Sequence, residues 1–94
     1  MNAPSPLDTR AFEDELRERG CANIGVVEWS PGRVSARHAH DFTAVGLVLE
    51  GAFTLETPDG ARLLEAGARF EVAAGTPHVE SVGAAGVRIL SGRL

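Results

Sequence analysis

The chain has 94 residues, a formal charge of −4 and one cysteine, which bounds it to one small domain that hides only about 60–65% of the surface its unfolded form exposes. The acidic balance argues against nucleic acid and anionic membrane as partners, because both require a basic surface. A lone cysteine, Cys21, excludes an internal disulfide and a cysteine-based zinc site, and is expected to pack as a small hydrophobe.

No apolar run is long enough to span a bilayer, and the N-terminal MNAPSPLD lacks the charged and apolar regions of a signal peptide. A reduced, cytoplasmic setting is the expectation. Residues 1–20 read as tail and helix of the same domain as 21–94. Met1 to Pro4 form the tail, and Ser5-Pro6-Leu7-Asp8 reads as a helix start: a serine cap, proline at the first position, an acid three residues after the cap. Leu7, Ala11, Phe12 and Leu16 make an apolar stripe at helical spacing, with Glu13 and Arg17 paired on the wet face. Arg17 and Arg19 suit the negative end of the helix dipole, and Gly20 reads as its stop. The helix is expected to be a lid or edge cover without chemistry.

From Cys21 onward short β-prone segments recur, at 22–29, 33–40, 43–50, 52–57, 62–65, 69–73, 77–82 and 86–91, separated by glycine-containing turns such as Glu50-Gly51. Asp59-Gly60 predicts a type I′ hairpin turn. Many short strands of this kind predict an all-β sandwich or barrel with one short N-terminal helix. The run Ala44 to Leu49 is apolar on both faces, as a central strand buried on both sides would be. Trp29 is expected in the core or at its rim.

His38 and His40 lie two residues apart in a strand-like stretch, so both rings project from one side. The remaining histidine, His78, arrives in a second stretch, Gly67 to Val82. A histidine on a β surface is more often solvated or hydrogen-bonded than a ligand. A same-face pair with a third ring from a neighbouring strand can instead complete one facet of a metal coordination sphere.

Over residues 31–82 the chain resembles the cupin family. The first cupin motif runs Gly, five residues, H-x-H, three or four residues, Glu, six residues, Gly; Gly32, His38, His40 and Gly51 match it. The second runs Gly, five residues, Pro, one residue, Gly, two residues, His, three residues, Asn; Gly67, Gly75 and His78 match. The resemblance implies a jelly-roll β-barrel or sandwich and a divalent metal held by His38, His40 and His78. Ala44 stands where the family carries a ligating Glu, Ala73 where it has Pro and Val82 where it has Asn.

Three neutral imidazoles would leave the ion its full charge. That favours Fe²⁺, with Zn²⁺, Ni²⁺, Cu²⁺ or Mn²⁺ as alternatives, and an anionic or chelating small-molecule substrate. Similar three-histidine cupins are dioxygenases, which implies a mononuclear non-haem metalloenzyme; a non-catalytic binding or sensing module is the alternative. Strand alternation from His78 puts Glu80 and Val82 on the metal side, and the alternation through the H-x-H pair adds Ala36 and Val34. Glu80 is the candidate general base or substitute ligand, with an exposed glutamate as the competing expectation. Asp41 could orient an imidazole, Phe42, Phe53 and Phe70 could wall the site, and Arg37, Arg69 or Arg88 could clamp a substrate. The chain contains no tyrosine, which excludes phenol-dependent chemistry. Small cupins resemble one another in pairing through sheet edges or faces, so a homodimer is expected.

Overall fold

Ser5 opens helix α1 (Pro6–Glu18) with a reciprocal cap: its hydroxyl accepts from the Asp8 amide, and the Asp8 carboxylate accepts from the Ser5 amide. The computed structural model describes residues 3–94, so Met1 and Asn2 of the expected tail lie outside the described residues. A helix of 13 residues is marginal alone. Phe12 and Leu16, both buried, dock it onto the sheet, a contribution of about 2–3 kcal/mol each. Leu7, expected in the same stripe, is 75% exposed, because the sheet meets only the second half of the helix. Ion pairs from Arg69 to Glu15 and from Arg19 to Glu71 fasten the helix over the sheet. Among the described residues, no helix is long and apolar enough to cross a membrane.

Five antiparallel strands follow: β1 (Ala22–Trp29), β2 (Ala44–Thr57), β3 (Gly60–Glu65), β4 (Arg69–Val72) and β5 (Val79–Arg93). Their order is β1-β5-β2-β3, with β4 paired to the other half of β2. The predominance of antiparallel strands, with one helix docked on the sheet, is the jelly-roll class expected from the sequence. Two expected boundaries disappear. Segments 43–50 and 52–57 merge into β2, and 77–82 and 86–91 merge into β5.

What reads as punctuation is a bend shared by two long strands. Gly51 has φ +75°, and a Cβ there would lie 1.9 Å from the Gly86 carbonyl oxygen. Only glycine permits that approach. The β2–β5 register shifts on both sides of Gly51, between Val48 and Glu50 and between Gly51 and Phe53. The sheet thereby curls over an interior that contains Val48, Phe53, Leu55, Val87 and Ile89.

The two faces of β2 serve different layers. Val45 and Leu47 meet Phe12 and Leu16 of α1, while Val48, Phe53 and Leu55 point inward. That division accounts for the apolar run 44–49. Cys21 sits half-buried against the helix-side cluster as a free thiol. The hairpin after β2 differs from expectation by one position. Thr57 pairs with Gly60, so Pro58 and Asp59 are the central residues. Proline pre-sets the negative φ that a type I′ turn forbids, and the positive φ of +123° falls on Gly60 instead.

The predicted strand 33–40 is not one. It makes two isolated bridges, Val34 to Ser81 and His38 to His78. These registers are offset by one residue, which breaks the ladder between them.

Candidate metal centre

Residues 33–40 run along the start of β5 and are tied to it at both ends. The His38 amide donates to the His78 carbonyl at 3.1 Å, and the His78 amide donates to the His38 carbonyl at 2.8 Å. This reciprocal pair sets the two histidines directly opposite each other, with their rings on one side. The Gly75 amide donates to the His40 carbonyl at 2.8 Å, fixing the second member of the H-x-H pair.

The ring centroids lie 4.9 Å apart for His38 and His40, 4.2 Å for His38 and His78, and 5.1 Å for His40 and His78. One ligand nitrogen from each ring lies within 4.8 Å of the other two. Ligands on one ion with bonds near 2.1 Å stand about 3–4 Å apart, so small side-chain rotations close the set. Two of the rings are already oriented. His38 Nδ1 is 2.8 Å from the Ala36 carbonyl and His78 Nδ1 is 2.9 Å from the Thr76 carbonyl. Each Nδ1 therefore carries the proton, and each Nε2 presents a free lone pair. The donor set fits a divalent metal ion on these grounds.

Backbone carbonyls thus do the work expected of Asp41, which is exposed. Glu80 lies where strand alternation from His78 puts it. Its carboxylate is 3.9 Å from His38 Nε2 and 4.0 Å from His78 Nε2, with the side chain 12% exposed. Ala44 lacks the carboxylate that the first motif carries, and Glu80 brings one to His38 and His78 from β5. Val82 does not join it: it is buried in the interior cluster. Val34 is 67% exposed, since the register offset turns it outward.

Burial, and then the neighbouring His38 and His78, hold the His40 imidazole below its usual value. Neutral His40 is the form a metal requires. The folded chain accepts this proton at lower pH than the unfolded chain does. The associated stability is therefore complete above about pH 6.5 and is lost as pH falls below it. Metal-free protein should become easier to denature with urea between about pH 7.5 and pH 5.5, and His40→Gln should flatten that dependence. An unchanged slope in the variant would remove His40 as its source.

His38 and His40 line a cavity of about 280 Å³, with His78 buried behind them. Trp29, Phe42, Phe70 and Ile89 supply its apolar wall, and Arg33, Arg93 and Glu80 its charged groups. Phe42 stacks on His40 at 4.6 Å and 15°. Phe53, by contrast, is core, meeting Trp29 and Phe70 edge-on. None of the three arginines expected as clamps reaches this cavity. Arg69 binds Glu15, Arg88 pairs with Glu28 and Glu50, and Arg37 is exposed. Arg33 and Arg93 were invisible to strand periodicity because bridge offset and cross-strand register, not sequence spacing, bring them to the mouth.

The sequence profile of the family described as "Cupin domain" matches residues 25–93. No curated protein matches the chain. Among solved structures, KdgF from Halomonas sp. is 26% identical with a TM-score of 0.62, the match covering 72% of this chain and 64% of that one. An RmlC-like cupin from Shewanella frigidimarina is 25% identical with a TM-score of 0.63, over 72% of this chain and 61% of its own. A protein of unknown function from Rhizobium leguminosarum bv. viciae superposes with a TM-score of 0.70 at 18% identity, over 74% of this chain and 66% of its own. The chain thus spans less than two thirds of the length of each of these three.

Proposed function

The chain belongs to the cupin domain family, and from that premise we propose that it is a mononuclear non-haem metalloenzyme of dioxygenase type, acting on a small anionic or chelating substrate. The observation that carries the proposal is the convergence of His38, His40 and His78 on one side of the curled sheet. His38 and His78 present Nε2 because their Nδ1 protons are committed to backbone carbonyls. A divalent ion bound there would supply Lewis acidity and, as Fe²⁺, reactivity toward O₂.

The protein's own contribution is positioning, charge and dryness. His78, 2% exposed, anchors the set from inside. Among the described residues Glu80 is the one carboxylate lining the cavity, and it offsets part of the ion's charge or accepts a proton from the substrate. Trp29, Phe42 and Phe70 keep the cavity wall apolar, so an electrostatic contact inside it is stronger than in water. A fully exposed cluster would lack that advantage.

The test is oxygen uptake by the Fe²⁺-loaded protein over a panel of diketones, thiols and phenolic acids. Uptake that depends on both iron and one substrate class supports the proposal. Bound metal without turnover on any of them contradicts it and favours a non-catalytic sensing module.

A further inference from the structure

The cavity mouth is positively charged in a chain whose formal charge is −4. Two guanidinium groups flank it, each laid over an aromatic ring. Arg33 Cζ stands 5.2 Å from the Trp29 ring centroid, and Arg93 Cζ stands 4.4 Å from that of Phe42. Phe42 in turn stacks on His40, which joins Arg93 to the histidine cluster through one column of rings. A guanidinium resting over an aromatic ring can still offer N–H groups to a planar oxyanion.

Neither guanidinium is held in a close ion pair. Among the described residues, ion pairs at normal distance engage Arg17, Arg19, Arg69 and Arg88. Arg33 stands 3.9 Å from Glu80 Oε1, the oxygen that also faces His38, and among the described residues Arg93 makes no ion pair with a carboxylate. The vacancy beside Arg93 has a source in the sequence. Arg93 is the cross-strand neighbour of Ala44, the position where the cupin pattern carries Glu. A glutamate there would face the guanidinium across the ladder. Ala44 lines the same cavity and leaves the cation free.

We propose that Arg33 and Arg93 are the specificity-determining pair of this site, recognising the carboxylate of a small acid whose other end reaches the metal. The inference rests on the three-histidine centre and deepens it: the substrate class becomes a two-ended anion with a short apolar middle, sized to a cavity of about 280 Å³. Loss of the carboxylate at position 44 then acts twice, leaving charge on the ion and on Arg93 for the ligand to neutralise.

The experiment is calorimetric titration of Zn²⁺-loaded protein with two metal-chelating probes. One is the monohydroxamate of succinic acid, which ends in a carboxylate. The other is butyrohydroxamate, which ends in a methyl group. The carboxylate probe should bind at least about tenfold more tightly, and Arg93→Gln and Arg33→Gln should each weaken it about ten- to hundredfold. Both variants should leave butyrohydroxamate within about threefold of the parent, and Arg93→Lys should recover part of the loss. Equal affinity of the two probes, or a parallel loss of both in the variants, overturns the arginine pair while leaving the metal centre standing. Failure of the parent to hold one Zn²⁺ per chain overturns the centre, and the pair with it.

Discussion

Replacing His78 by alanine should reduce bound metal from near one ion per chain to below about a tenth of that after dialysis, measured by elemental mass spectrometry, because two weakly held imidazoles remain where three converged. His78 is the most constrained of the set. It is 2% exposed, it exchanges both backbone hydrogen bonds with His38, and its Nδ1 is bound to the Thr76 carbonyl. Its removal also opens a buried space, at a cost of order 2 kcal/mol or more, so a misfolded variant would lose metal for an uninformative reason. His38→Gln removes that ambiguity. Its ring is 32% exposed, and glutamine leaves the backbone bridge intact. Circular dichroism should show a native transition for His38→Gln together with the same loss of metal. Metal retained at the parental level in a folded His38→Gln would mean that the ring is not a ligand.

Glu80→Gln should lower turnover by about 10²–10⁴-fold whether the carboxylate ligates or moves a proton. The substitution is isosteric, and the backbone of Glu80 is held independently of its side chain: its amide donates to Ser35 Oγ at 2.9 Å and its carbonyl accepts from the Ser35 amide at 2.9 Å. The two roles separate in the metal content. A ligand's loss should weaken metal binding along with turnover, whereas a base's loss should leave the metal in place. Glu80→Asp, which keeps the charge on a shorter arm, should restore part of the activity in either case. Parental turnover in Glu80→Gln would leave the carboxylate without a role.

Local chemistry was the legible part of this chain. The capping box at Ser5 and Asp8 involves residues three apart, and the structure reproduces it. The two-residue strand period from His78 places Glu80 within 4.0 Å of that ring but puts the core residue Val82 there too, and the three rings gather on the residues of the two motifs. Contacts made across the sheet were illegible. Glu50-Gly51 has the composition of a turn, yet β2 passes through it because β5 bends with it at Gly86. Residues 33–40 have the alternation of a strand, yet the offset between the Val34 and His38 bridges breaks it. Arg93 lies 49 positions from Ala44 in the chain and opposite it in the sheet, so nothing near Arg93 signals its place at the cavity. Pro58 shows the opposite failure: a strong local rule, Asp-Gly at a hairpin, lost to a stronger one beside it.

The whole account depends on three imidazoles gripping one cation. X-ray absorption at the edge of the metal that co-purifies with untagged protein tests this most directly. The account predicts one ion per chain with the multiple-scattering pattern of three imidazole ligands beside an oxygen shell. A shell of oxygen alone, or no ion at all, would contradict it.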